Sequence, residues 1–460
     1  MYSGKTKPNV IICMTDQFRA FDIGCYGNKM IRTPNIDSIA SEGIRFETAL
    51  SNNPVCTPAR ACLLSGQYSR TCQGYLRNTG VESPALERRI FPEKTLPEAF
   101  SEAGYSTALI GKWHLEAHPR TIGFDKTVYP KVHHRNRNQI YHDGTGKSYI
   151  VKDLAEEYNI QLLDDFLGER ENVREPFFVY YNIATPHMPF FDIPEEYKTM
   201  YRKEDIKLKG NVSIDGKLPY DERYMSIYLW DYLYYMGDFD AGSFKPRISL
   251  PEGFDIRDLT ALYYGMISYT DYYVGRMMET LKDHGMDDDT LVVFTSDHGD
   301  NLGSHHLFGK NTVNEESIRV PMIYWMPGGF KEGEKITRLT QLIDVMPTLL
   351  DFCGIGIPEG VQGESALPAL KGNARENDGE KVYIETAKGE IAVRTHTHLY
   401  SIMLDSETRT VSQDPCRYYD LLKDPLELSN LAKNNDLTED SAAENLRQSL
   451  LQWNEETPWL

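Results

Sequence analysis

The run Asn9-Val10-Ile11-Ile12-Cys13-Met14-Thr15-Asp16-Gln17 is apolar for most of its length and then stops abruptly in polar side chains. A short apolar run of this kind reads as a strand buried on both faces, as in α/β sheets. Three further runs repeat the layout. Ser106 to Gly111 leads into Lys112-Trp113-His114, Pro176 to Ile183 leads into Thr185-Pro186-His187, and Leu291 to Phe294 leads into Ser296-Asp297-His298-Gly299. Helical signals lie around them: Thr33-Pro34-Asn35 opens an amphipathic stretch that Gly43 closes, and Thr95 to Phe100 opens another that Gly104 ends. Asp153 to Phe166 and Asp258 to Leu281 read as longer helices. The alternation predicts an α/β fold. In open α/β sheets ligands bind beyond the carboxyl ends of the strands, so four reactive strand ends that can converge on one edge mark a site.

A second landmark is Asn53-Pro54-Val55-Cys56-Thr57-Pro58-Ala59-Arg60-Ala61-Cys62-Leu63-Leu64-Ser65-Gly66. Pro58 suits a first helical turn and Gly66 a C-terminal stop. Cys56 then lies at the helix's N-terminal end, where free N–H groups and the dipole favour negative charge. A thiol there is acidified, or an oxyanion is stabilised. Arg60 follows one turn later and can return to the same end.

Composition bounds the rest. The 460 residues allow one large domain plus a smaller one. With 49 basic and 68 acidic side chains the net charge is −19, which excludes nucleic acid and an anionic membrane surface as partners. An anionic substrate must therefore meet a local cationic pocket. Seven scattered cysteines are no disulfide framework and fit a reducing compartment. Met1 to Lys7 has no apolar signal core, and no apolar run can span a bilayer. A cytoplasmic location is the expectation.

The strand ends carry the chemistry. Asp16, Asp297 and His298 offer oxygen and imidazole ligands, and Gln17 can add an amide oxygen. Such a set suits calcium or magnesium and is compatible with manganese or zinc. Arg60, Lys112 and Lys310 can gather on sulfate or phosphate oxygens. His114 and His187 can exchange protons near neutral pH. His305 and His306 read as loop residues. His133, His134, Arg135 and Arg137 form a cationic cluster, either a solvated patch or a substrate clamp, with the clamp favoured. The aromatic run Tyr220 to Tyr235, with Trp230, is a further candidate pocket lining. Gly372 to Lys381 reads as a linker or long loop, followed by short antiparallel strands at 382–385, 391–394 and 398–402 and a helix from Glu439 to Trp453.

Cys56-Thr57-Pro58-Ala59-Arg60 followed by Leu63-Leu64-Ser65-Gly66 resembles the signature of the type I sulfatases. Gly111 to Leu115, Thr185 to Phe190, and Thr295 to Asp300 with Gly309-Lys310 are similar to later motifs of that family, in family order. The resemblance implies an alkaline-phosphatase-like α/β/α sandwich with a large mixed sheet over residues 1–370. A small C-terminal α+β subdomain with a short antiparallel sheet would occupy 371–460. It implies that Cys56 is converted to formylglycine by a formylglycine-generating enzyme or anaerobic maturase. The hydrated aldehyde attacks sulfur with one hydroxyl and expels sulfate through the other. One divalent metal is implied, usually calcium, held by Asp16, Gln17, converted Cys56, Asp297 and His298. Arg60 and Lys112 would hold the formylglycine and sulfate oxygens, His114 would assist the second proton transfer, and His187 with Lys310 would serve the leaving alcohol. The implied substrate is a small sulfated ester, a sulfated sugar or glycan first.

Many sulfatases carry two aspartates at the first strand end and Asp-Asn at the later one. Asp16-Gln17 and Asp297-His298 are instead similar to a branch that includes phosphonate monoester and phosphodiester hydrolases. A hydrolase of those esters is the runner-up. A sulfoglycan-binding protein with Cys56 left as a thiol has no need of His114 or His187, and a cysteine hydrolase has none of Asp16 and Asp297.

Overall fold

Every residue of the first strand, Asn9–Thr15, is buried, because its alternate side chains feed two cores. Val10, Ile12 and Met14 pack on one side with Ala59, Leu63, Leu64, Phe100 and Leu349. Ile11 and Cys13 pack on the other with Ile36, Leu163, Tyr269 and Val274. Helices therefore cover both faces of the sheet. The structure is a computed structural model and describes residues 7–79, 84–131, 134–190, 192–212, 252–373, 380–433, 437 and 440–460.

In chain order the strands are β1 (Asn9–Thr15), β2 (Ile44–Phe46), β3 (Ala49–Leu50), β4 (Ser106–Gly111), β5 (Lys126–Pro130), β6 (Gln139–His142), β7 (Ser148–Val151), β8 (Phe177–Asn182) and β9 (Thr290–Ser296). Then follow β10 (Arg319–Val320), β11 (Met322–Trp325), β12 (Glu334–Ile336), β13 (Thr340–Gln341), β14 (Lys381–Glu385), β15 (Glu390–Thr395), β16 (His398–Leu404) and β17 (Val411–Asp420). The main sheet has ten strands in the order β12-β2-β11-β9-β1-β8-β4-β5-β6-β7. Its centre, β9-β1-β8-β4, is parallel throughout. These are the four apolar runs singled out in the sequence, and parallel pairing puts all four carboxyl ends on one edge. β11 pairs antiparallel with β9, and β5 to β7 turn antiparallel at the far side, so the sheet is mixed.

The helices follow their sequence signals. Thr95 and Glu98 form a reciprocal capping box ahead of Leu96–Glu102. The helix read from Asp153 to Phe166 spans Ala155–Gly168. The long helix is Ile256–Asp283, begun two residues early because Asp255 caps it. All ten residues of Cys56–Ser65 are buried, and Gly66 ends that helix in the left-handed conformation with its N–H on Cys62 O. That helix is thus a core element. The aromatic run Tyr220 to Tyr235 and residues 374–379 of the expected linker lie outside the described residues.

β14 to β17 form a separate antiparallel sheet. The helix Ser441–Glu456 packs on it through Leu446, Leu450 and Trp453, and Asp440 caps that helix. β17 escaped the sequence reading. It is an edge strand, with Pro415 beside a register shift, so it lacks clean alternation. Among the described residues, no helix is long and apolar enough to cross a membrane.

Two buried ion networks join the C-terminal sheet to the main body. Glu385 of β14 pairs with Arg70, and both side chains are inaccessible. The Arg70 guanidinium also lies 4.7 Å from the Trp453 ring and 4.9 Å from the Trp459 ring. In the second network His305 Nε2 lies 3.3 Å from Glu316 and 3.5 Å from Glu427. Lys209 Nζ is 2.6 Å from Glu316 Oε1, and Asn211 donates to the same oxygen at 2.8 Å. The lysine already supplies a cation there, so His305, Glu316 and Glu427 are a structural clasp. This agrees with a loop role for His305. Burial opposes its charge, but the two glutamates raise its pKa from 6.5 to about 9. The clasp therefore contributes fully below pH 6.5 and fades as pH rises through about 9. His305→Gln is expected to lower the melting temperature by several degrees at about pH 6 and hardly at all at about pH 10. Thermal melts of both proteins at the two pH values check this; an equal difference at both would refute it.

Candidate active site

The four parallel strands deliver their polar ends to one place. Asp16 and Gln17 follow β1, Lys112 and His114 follow β4, His187 follows β8, and Asp297 and His298 follow β9. Local backbone sharpens the turns. Gln17 and His114 adopt φ of 63° and 57°, a left-handed conformation that costs energy for a side chain with a Cβ. Gly111, at φ 88°, stands where a Cβ would lie 2.0 Å from Asn182 O, so only glycine lets β4 turn into Lys112 against β8.

Cys56 begins its helix beneath this edge and is fully buried. Lys310 Nζ lies 2.9 Å from its Sγ, His298 Nε2 3.2 Å and Asp16 Oδ1 3.7 Å. Burial alone would hold the thiol un-ionised. The Lys112 and Lys310 ammoniums overcome that and bring its pKa well below the ordinary range. Cys56 thus lies at the N-terminal end of its helix, where the sequence predicts it.

Arg60 ties the cluster together. Its Nη2 donates to Asp16 Oδ2 at 3.0 Å, its Nε to Asp297 Oδ2 at 3.1 Å and its Nη1 to Asn182 Oδ1 at 2.6 Å. Lys112 Nζ donates to the same Asp16 oxygen. Burial and the Cys56 charge work against ionising Asp16, but Lys112, His187 and Lys310 hold its carboxyl well below the usual range. Asp297 is pushed up to about 6 by burial and by the Asp16 charge. The two buried carboxylates are paired with Arg60 and Lys112, and Lys310 stands beside them.

The donor set tests whether a divalent cation fits. Ligand atoms of Asp16, Cys56, Asp297 and His298 all lie within 4.8 Å of one another. His298 Nδ1 is 2.8 Å from Gly299 O, and a carbonyl only accepts, so Nδ1 carries the proton and Nε2 is left for the cluster. Gln17 Oε1 is 3.2 Å from Lys310 Nζ, and its amide nitrogen donates to Asp300, which orients the amide. Hard carboxylate and amide oxygens with one imidazole suit a divalent cation.

The remaining expected residues also arrive. His187 is buried, with Nδ1 2.6 Å from Met188 O and Nε2 3.9 Å from Asp16 Oδ1. Burial and then Lys310 push its pKa down to about 4. His114 is only partly exposed, and burial lowers its pKa too. The cationic cluster splits. Arg137 is exposed and Arg135 partly so, His133 lies outside the described residues, and His134 is buried inside the centre. Its Nε2 is 2.5 Å from Lys112 Nζ, and its ring stacks on that of His187 with centroids 3.5 Å apart.

Three supports were not singled out in the sequence. Asn182 accepts from Arg60, Asp300 orients Gln17, and Asn78 accepts from Thr57 N at 2.9 Å at the start of the Cys56 helix. Asn182 and Asp300 are further polar residues at strand ends, the same signal that revealed their neighbours. Asn78 sits on a loop with no pattern to mark it.

Known proteins share this arrangement of sequence and fold. Residues 8–355 match the sulfatase family model, and residues 303–456 match that of the N-sulphoglucosamine sulphohydrolase C-terminal region. An ulvan-active sulfatase of Formosa agariphila is 30% identical over 448 residues, covering 93% of this chain and 77% of that protein. An arylsulfatase of Clostridium perfringens is 30% identical over 482 residues, covering 94% and 92%. A structure solved in complex with its substrate, D-glucosamine-2-N,6-O-disulfate, superposes with a TM-score of 0.76 at 26% identity, covering 98% of this chain and 97% of the other. With an alkaline-phosphatase-like fold, a cysteine at the buried helix end and cations gathered around it, the chain belongs to the sulfatase family.

Proposed function

We propose that the enzyme hydrolyses a sulfate ester on a sugar or glycan, with Cys56 matured to formylglycine and a divalent cation, calcium first, held by Asp16, Gln17, Asp297, His298 and residue 56. The observation that carries this reading is the buried Cys56 position, with Lys310 at 2.9 Å, His298 at 3.2 Å and Asp16 at 3.7 Å. The saccharide class is supported by the relatives, one active on ulvan and one structure holding a disulfated glucosamine.

Formylglycine supplies an aldehyde hydrate with two hydroxyls where a thiol has one sulfur, and a bound cation lowers the charge on the oxygens beside it. The chain's own residues do the rest. Lys112 and Lys310 draw an anionic ester into a protein whose overall charge of −19 repels it. Arg60, locked by Asp16, Asp297, Asn182 and the Lys112 carbonyl, holds the two carboxylates in place as the charge moves. His187 has Nδ1 committed to Met188 O, so Nε2 is the nitrogen that passes a proton to the leaving alcohol. Burial and then Lys310 keep this ring neutral at rest; an incoming anion offsets that field, so that the ring takes up a proton from solvent at Nε2 before passing it on. His114, beside residue 56, takes the proton whose loss releases sulfate.

Parallel rates on sulfated mono- and disaccharides and on a phosphonate monoester test the reading. Fast phosphonate turnover with negligible desulfation would replace it by the runner-up activity. Cys56→Ala is expected to cut turnover by at least about a thousand-fold while the melting temperature holds, because the change removes little buried volume. Mass spectrometry of the Cys56 peptide from the active protein should show the aldehyde form. Prolonged chelation is expected to abolish activity and calcium or manganese to restore it; a metal-stripped sample at full activity would contradict the cation assignment.

A further inference from the structure

We propose that His134 is a positioning residue for Lys112: it fixes the ammonium so that a single N–H is left for an anionic oxygen of the substrate. The inference rests on the sulfatase reading for the identity of that anion. Its grounds are the position of His134 and the donor count at Lys112.

Lys112 has a wholly buried side chain. An ammonium has three N–H donors and no acceptor. Asp16 Oδ2 takes one, and His134 Nε2, at 2.5 Å, takes a second. Since the lysine only donates, Nε2 must accept, and the ring proton sits on Nδ1. Among the described residues, one N–H of Lys112 is then left for substrate. Without His134 two would be free, and the ammonium could swing about its bond to Asp16.

The rest of the loop is built to hold this ring. Asn136, two residues on, is buried. Its N–H donates to Asp192 Oδ2 at 2.7 Å, and its amide nitrogen donates to Asp192 O at 2.8 Å and to Tyr269 Oη at 3.1 Å. Its carbonyl accepts from Ala155 N at 2.8 Å. The loop is thereby pinned to the segment after β8, to the long helix and to the start of Ala155–Gly168. Beyond it, the His134 ring lies parallel to His187, 7° between planes, and edge-on to His114 with centroids 6.0 Å apart. One loop residue thus touches the lysine and both histidines assigned to the chemistry.

Two roles can be separated, because ring contact and hydrogen-bond acceptance reside in different replacements. Glutamine keeps an acceptor and loses the ring; phenylalanine keeps the ring and loses the acceptor. Relative to wild type, His134→Ala and His134→Phe are expected to lose about 100-fold in kcat/KM, the scale set by misplacing a charge by about an ångström. His134→Gln should stay within about fivefold. On a Lys112→Ala background, His134→Ala should cost less than about threefold more, because the residue acts through the lysine. A readout without turnover comes from titrating inorganic sulfate into each cation-loaded protein and following its melting temperature. Sulfate should stabilise wild type and His134→Gln, and His134→Phe only weakly. A phenylalanine variant matching wild type, or losses that multiply in the double variant, would overturn the proposal. If the wild type turned over no sulfate ester, the proposed function would fail, while the sulfate titration would still decide the role of His134.

Discussion

The centre depends on keeping ionised groups in a place that water does not reach. Asp16, Arg60, Lys112 and Asp297 all have side chains with no solvent exposure. A single buried charge would be ruinous, so each must be paired. The parallel core meets that demand. Each strand brings one partner to a common edge, and Arg60 comes up from the helix beneath to span two carboxylates. Strand order, the abrupt polar strand ends and the glycine at position 111 all serve the geometry of this cluster.

The same requirement explains what could be read from the chain. Strands buried on both faces must be apolar throughout, and residues that carry charge must wait until the strand is over. β1, β4, β8 and β9 therefore announced themselves, and so did Asp16, Lys112, His187 and Asp297. The peripheral strands were illegible for the opposite reason. β3, β10 and β13 are two residues long, too short for any period, and β17 is an interrupted edge. His134 was visible only as one member of a basic patch. Nothing in His133-His134-Arg135 distinguishes the residue that turns inward, because loop direction is set by Asn136 gripping Asp192 and Tyr269. Asn78 was hidden likewise, since its capping partner lies 21 residues away.

The C-terminal sheet reaches the catalytic body through charge as much as through apolar packing. Arg70 lies just beyond the Cys56 helix and is held by Glu385 and two tryptophan rings. Ser69, its neighbour, donates to the same glutamate at 2.9 Å and accepts from Asn53 at 3.0 Å. The second sheet thus braces the segment on both sides of residue 56. A cluster that tolerates little displacement rests on a helix fixed from the sheet above and from the subdomain beyond it.

The pairing of Asn9 with Thr290 joins residues 281 apart in the chain. A ribosome adding about 5–20 residues per second needs roughly 15–60 seconds to go from one to the other. Throughout that time β1 has been made and β9 has not, so the central pairing of the sheet cannot form. The Cys56 helix waits longer still, since Val345, Met346 and Leu349 of its core are made after β9. Until then the apolar strands of the nascent chain lack their partners. The same delay is the interval in which the Cys56 peptide, sealed in the finished fold, is not yet buried.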